Sequence, residues 1–422
     1  MDHTAALCVI VSGVLAGALL LTRLAGRLRV PDILWFMLLG LVLGPFGLNL
    51  VSGESLMGQD HVLLLGAVFL VLYEAGTGTR ISLLRKHAMT VGLLVTVGIL
   101  LTTGMLAASA SMFLGYTLPQ GLLLGAVLST TDPASILPIL RRLPIPPKVV
   151  ETLVAESAIG DVTGSLLALF LLTWFTSPPP GGLLDMGKSF LVSVAGAVVL
   201  GLFLGWLFVL LTRHPKFGIF RRSVPVFLVA ILLGGFGISL LLHLQTLLLG
   251  YLLGVAAGQS GREDREGLQL GVPGHVHSAS RQGDFETMND LLVYLATFFI
   301  FLVMGTLIPH AGSGFSWGGT LLFLVSLLLV VRPAVVFVLV PLDRRSRFTR
   351  YEMCFMATVR ETGIMAGALL GLAHGEMPPS ASMVVFSVVV GSIAVGALVA
   401  APAARHLGLA ALPESQRGGW LS

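Results

Sequence analysis

Apolar runs of about 20 residues, enough to carry a helix across a hydrocarbon core roughly 30 Å thick, recur along the whole chain. Thirteen can be drawn, at 4–22, 31–51, 61–79, 88–113, 117–140, 149–176, 189–212, 223–239, 241–258, 290–309, 318–341, 351–373 and 380–403. Two of them are interrupted by polar residues. The fifth carries Ser129-Thr130-Thr131-Asp132-Pro133, and the twelfth carries Thr358-Val359-Arg360-Glu361-Thr362-Gly363. Pro133 removes a backbone hydrogen bond and clashes with the carbonyl of Ser129, so the fifth helix is expected to break. A simple kink is the alternative, but irregular backbone at membrane depth is tolerated where it is buried in protein or lines a cavity, and the acid and three hydroxyls beside the proline supply hard oxygen ligands. Spans 1 to 6 and 8 to 13 read as two six-helix halves joined by span 7. The odd offset inverts one half relative to the other and puts the interrupted spans 5 and 12 at corresponding positions. The predicted fold is an all-α membrane protein of about thirteen transmembrane helices, with inverted six-helix repeats and two interrupted crossing helices.

Composition agrees: 55% of the 422 residues are hydrophobic and only 11% charged, which excludes an ordinary soluble domain. The net charge of +4 would suit a nucleic-acid partner, but 22 of the 25 basic residues fall in alternate loops, after odd-numbered spans. They mark the cytoplasmic side. The C-terminus is then cytoplasmic and the N-terminus outside, with span 1 an uncleaved anchor; a cleaved signal peptide is the alternative, lacking a basic n-region. Cys8 and Cys354 fall in spans and read as packing residues. The longest loop, 259–289, reads as a flexible cytoplasmic connector whose His275 and His277 are solvated rather than pH-sensing.

The acids within the spans are Glu74, Asp132, Glu156, Asp161 and Glu361, against two bases, Arg332 and Arg360. A charge there is costly, so function is the default reading and an ion pair that only holds helices together is the alternative. The surplus of carboxylates suits cations or protons. In span 6, Ser157 and Asp161 are one turn apart on one face, whereas Glu156 points about 100° away and is free to pair with a different helix.

These residues resemble the cation/proton antiporter superfamily, most closely its NhaP-type sodium/proton antiporters, over nearly the whole chain. The likeness rests on Val30-Pro31 with Gly40-Leu41-Val42-Leu43-Gly44-Pro45-Phe46-Gly47-Leu48, on Tyr73-Glu74-Ala75-Gly76, on Thr131-Asp132-Pro133, on Glu156-Ser157 with Asp161, and on Arg332-Pro333 and Arg360, in that order. The resemblance implies a core ion-transport domain (88–176 and 318–403) moving against a dimerisation domain (4–87 and 213–310), with a linker helix at 177–212, a short cytoplasmic tail at 404–422, and a homodimer. It implies that Asp161 binds Na⁺ and a proton alternately, with Asp132, Thr131 and Ser157 around the ion, that Glu156 pairs structurally with Arg332, and that Arg360, Glu361 and Glu74 are adjacent charges. The chain departs from the pattern at Gly160, where NhaP relatives usually carry Asn and electrogenic ones a second Asp. It departs again at Glu361, where Gly commonly follows the arginine.

The expected function is exchange of Na⁺ or Li⁺ for H⁺ across the cell membrane by alternating access, with K⁺/H⁺ exchange the alternative. Proton and cation would compete for the same carboxylate oxygens, and if only the occupied carboxylate crosses, exchange is obligatory. No Gly-Lys-Ser or Gly-Lys-Thr phosphate loop occurs, and no cofactor, enzymatic activity or nucleic-acid partner is expected. A cation channel would use a similar ion pathway, an organic-anion carrier would need surplus bases, and an intramembrane aspartyl protease would need a Gly where Ala158 stands.

Overall fold

A computed structural model describes residues 32–57, 61–79, 87–132, 145–213, 223–269, 276–309, 314–343 and 345–406, together with a few isolated positions. The expected first span is essentially outside these residues. Among them there are no strands. The main helices among the described residues are α1 (Asp32–Leu43), α2 (Val62–Gly78), α3 (Ala88–Leu114), α4 (Leu118–Val127), α5 (Pro147–Thr176), α6 (Gly182–Arg213), α7 (Val224–Leu241), α8 (Thr246–Gln269), α9 (Val276–Thr306), α10 (Trp317–Leu342), α11 (Arg350–Thr358), α12 (Ile364–Ala373) and α13 (Ser380–His406). Seven described helices are long and apolar enough to cross a membrane by themselves, and four shorter apolar helices accompany them.

Leu191, Val192, Val199 and Leu202 of α6 are each more than half exposed. In water a stripe of that kind would be a liability; against lipid it is an ordinary solvent face. The interior is likewise apolar, so side-chain shape and close backbone approach rather than burial from water hold the helices together. One group of helices packs as α2 against α8 and α9, α1 against α9, and α6 against α8; another packs α3 against α4 and α10, and α10 against α11. α5 and α12 touch both groups.

The two halves share irregularities as well as order. α3 contains a π turn at Leu94–Gly98 and α10 one at Leu327–Val331, each midway along a long helix. Such wide turns interrupt the regular hydrogen-bond ladder and recur at functional sites. α4 and α11 both open on a capping box, Thr117 with Gln120 and Thr349 with Glu352, in which side chains satisfy two of the amides left over at a helix start. Both helices are short, and both stop in mid-protein.

The connector expected at 259–289 is largely helical instead, since α8 runs to Gln269 and α9 begins at Val276. The charges that suggested a solvated loop, Arg262-Glu263-Asp264-Arg265-Glu266, are good helix formers for the most part and are carried on the C-terminal part of α8. His277 is therefore in α9, while His275 lies outside the described residues.

Candidate ion-binding site

α4 ends at Val127 and gives way to a turn and irregular backbone through Asp132, while α11 ends at Thr358 and the chain stays irregular through Gly363 before α12 begins. The break thus falls before Pro133, which itself lies outside the described residues. The two unwound segments cross and bond directly, the Asp132 amide donating to the Glu361 carbonyl at 2.9 Å.

Each segment also caps the other half's helix. Arg360 Nη2 donates to the carbonyls of Leu128 and Ser129 at 2.8 and 3.3 Å, at the C-terminal end of α4. Asp132 Oδ2 accepts the amide of Ile364, the first residue of α12, at 3.3 Å. A cation therefore sits at a negative helix end and an anion at a positive one, which is the favourable arrangement in each case. Gly363 is required for this approach, because a Cβ there would overlap the Asp132 carboxylate.

α5 runs past the crossing. Ser157 donates to the Thr131 carbonyl at 2.5 Å, fixing α5 to the first unwound segment and leaving the serine oxygen's lone pairs available. One turn on, Asp161 is only 7% exposed, and its Oδ1 has no hydrogen-bond partner among the described residues. Asp132 is within electrostatic reach of it. A buried carboxylate oxygen without a partner carries a desolvation cost that a bound cation or proton removes.

Glu156, on the neighbouring face, meets Arg332 of α10 in a bidentate pair that includes a 3.0 Å contact from Nη2 to Oε2. Arg332 Nε donates at 3.2 Å to the Met356 carbonyl in the last turn of α11, so this one arginine ties α5, α10 and the approach to the second segment together. A cavity beside the crossing is lined by Glu156, Gly160, Arg332, Arg360, Ser129 and Thr102 among others, and a Cβ on Gly160 would meet nothing within 4 Å. The missing side chain at this position is therefore matched by open space next to two arginines and a glutamate.

Asp161, Ser157, Thr131 and Asp132 are thus brought together, and Glu156 and Arg332 are paired. Glu361 is buried, but its side chain packs on Gly396 of α13. Glu74 lies partly buried on α2, which packs against α5, within electrostatic reach of Asp290 on α9. One contributor gave no signal in the sequence: Ser392 of α13, fully buried, accepts the Thr362 amide at 3.1 Å and holds the second segment from behind. An isolated serine in an apolar helix is indistinguishable from the many that bond only their own backbone.

Fold and site define a polytopic membrane protein of the discontinuous-helix transporter class. The chain belongs to the sodium/hydrogen exchanger family, whose transmembrane region matches residues 14–406. Na(+)/H(+) antiporter 1 of Methanocaldococcus jannaschii is 34% identical over 204 residues, 47% of this chain and 46% of that relative. K(+)/H(+) antiporter NhaP of Alkalimonas amylolytica is 26% identical over 345 residues, 78% of this chain and 56% of that protein. The chain thus spans about half the length of these curated relatives. The structure of the sodium proton antiporter MjNhaP1 from Methanocaldococcus jannaschii at pH 8 superposes with a TM-score of 0.75 at 23% identity, covering 96% of this chain and 99% of that one. That likeness establishes the fold.

Proposed function

We propose that the protein is a secondary antiporter of the cell membrane that exchanges Na⁺ for H⁺, the two ligands competing for Asp161. The observation that carries this reading is the unpartnered, buried oxygen of Asp161 on the face of α5 that Ser157 pins to the unwound segment. Asp132, Thr131 and Ser157 surround the ion, and Glu156 with Arg332 is the structural pair beside it. K⁺ is the second reading, supported by the K(+)/H(+) antiporter among the relatives.

Alternating access follows if the helices carrying the crossing (88–176 and 318–403) move against 4–87 and 213–310, with 177–212 as linker and the latter group forming a homodimer. The separate packing of these groups, bridged by α5 and α12, supports that division. The basic residues in alternate loops support a cytoplasmic C-terminus and an external N-terminus.

The test is proteoliposomes with a trapped pH dye, challenged in turn with Na⁺, K⁺ and Li⁺. Cation-driven proton movement is expected, largest for Na⁺ or Li⁺, and lost in Asp161→Asn, which keeps the shape of the side chain but releases no proton and brings no charge. No movement with any of the three cations overturns the reading, and substantial turnover in Asp161→Asn moves the exchanging group elsewhere.

A further inference from the structure

Many buried hydroxyls among the described residues return to their own backbone, as Ser129 does to the Ala126 carbonyl at 2.7 Å, Thr152 to that of Lys148 at 2.7 Å and Ser165 to that of Val162 at 2.8 Å. A helix makes this cheap, since a carbonyl three or four residues back is always within reach. Thr130 stands just beyond the end of α4, where the backbone has turned away. It is 1% exposed, and its Oγ1 has no hydrogen-bond partner among the described residues.

Its neighbour on α5 fixes where its methyl packs. A Cβ on Gly164 would come 2.5 Å from the Thr130 methyl, so the missing side chain at 164 is what admits Thr130. Ser157, Asp161 and Gly164 follow at spacings of four and three and form a single stripe on α5. Ser157 bonds to residue 131 at one end of that stripe and Gly164 receives residue 130 at the other. Asp161 lies between them with its own unpartnered Oδ1. Buried hydroxyls at Thr103 and Thr362 are unpartnered as well, but only Thr130 is tied to this stripe by packing.

From this juxtaposition we infer that Thr130 Oγ1 is a ligand of the transported cation, supplying a neutral oxygen beside the Asp161 carboxylate and helping to set the preference for a small monovalent ion. The inference rests on the exchange reading above. A hydroxyl keeps both lone pairs for a cation and needs only to turn its proton away, whereas a carbonyl at the same place would be committed to a fixed direction.

The test compares Thr130→Val, which keeps the shape and removes the oxygen, with Thr130→Ser, which keeps the oxygen and removes the methyl. In proteoliposomes Thr130→Val is expected to raise the apparent KM for Na⁺ about tenfold, the size expected for losing one contact to a charge, and to narrow the difference between Na⁺ and K⁺. Thr130→Ser should stay near wild type. Binding is read independently in detergent, where the upward shift in melting temperature on adding NaCl, relative to choline chloride, should be weakened in Thr130→Val and kept in Thr130→Ser. Should Thr130→Val not fold, Gly164→Ala, which presses on the Thr130 methyl, is expected to raise the Na⁺ KM in the same direction. Wild-type KM, selectivity and Na⁺-dependent melting in Thr130→Val would overturn the inference, as would equal impairment of both Thr130 variants, which would show that the methyl's packing is what matters. Because the melting shift needs no transport, a wild-type protein that binds Na⁺ without moving protons would sink the exchange reading and leave Thr130 still judged.

Discussion

The two unwound segments do the same geometric work with opposite chemistry. Residues 128–132 present carbonyls, hydroxyls and an acid, while residues 359–363 present an arginine, a glutamate and a glycine. Two identical segments could not make both caps, since one of the two would bring the charge that its partner's helix end repels. The crossing closes because Arg360 goes to the end of α4 and Asp132 to the start of α12. The lesson is that a duplicated scaffold must diverge at its centre to be stable there, and the divergence leaves the acid in the first segment and the buried cation in the second.

That division can be broken most severely behind the second segment. Glu156→Gln strands the Arg332 charge at a site that is 2% exposed and should lower stability by about 3–5 kcal/mol. Detergent melting measures it, and a double replacement with Arg332→Met should recover much of the loss because no lone charge then remains. An unchanged melting temperature in Glu156→Gln would mean that this pair does not hold the α5–α10 contact.

A smaller effect ranks the two caps. Arg360→Met removes the donor that serves two carbonyls in the dry interior and should cost about 1–3 kcal/mol. Asp132→Asn still offers an oxygen to the Ile364 amide and loses only the charge at a helix start, about 0.3–1 kcal/mol. The same melting assay decides the order, and the reverse order would refute the assignment of structure to the second segment.

How much of this the sequence disclosed depends on whether the signal was local. The break in span 5 was legible because proline forbids a helical bond, and Glu156 was legible as free to pair with another helix because it faces away from Ser157 and Asp161, while Arg332 as its partner came from the family resemblance. The capping boxes at Thr117 and Thr349 are also written locally, as Thr followed three residues later by Gln or Glu. What was not legible is which distant group completes each end. Arg360 reaches the Ser129 carbonyl across 231 residues of chain, and nothing near either position specifies the other. The π turns of α3 and α10 are similarly silent, as Leu94–Gly98 and Leu327–Val331 read as uninterrupted apolar helix.

Glu361 sharpens the comparison further, because it is the one carboxylate in the structural segment. Its side chain packs on Gly396 of α13, and its carbonyl is committed to Asp132. With Gly160 supplying no second acid on α5, the proposed exchange would run on the Asp161 carboxylate alone, so one Na⁺ should leave for one proton. Clamping the membrane potential with valinomycin and K⁺ should leave the steady-state Na⁺-driven pH gradient unchanged, in the wild type and in Glu361→Gln alike. A voltage dependence that disappears in Glu361→Gln would make Glu361 a second proton carrier and the cycle electrogenic.

The smallest effect lies outside the membrane, where the second segment's helices are anchored. The turn from α10 to α11 is pinned to the start of α3 through Asp343, whose Oδ2 accepts from Thr90 Oγ1 at 2.6 Å and Ser346 Oγ at 2.7 Å, and whose Oδ1 accepts the Arg345 amide at 3.0 Å. Lys148 of α5 adds a 2.8 Å ion pair to Glu352. Burial pushes the Asp343 carboxyl upward, but the bonds from Thr90, Ser346 and the Arg345 amide outweigh it and hold the group at about 2. A depressed carboxylate contributes stability that is fully present above its unfolded value of 3.8 and is lost as pH falls through the folded value of about 2. Asp343→Asn should therefore melt below wild type by a constant margin from about pH 8 to about pH 5, and the margin should close only under more acid conditions, between the two pKa values. A margin that already shrinks between about pH 7 and about pH 5 would mean that a group other than Asp343 governs this anchor.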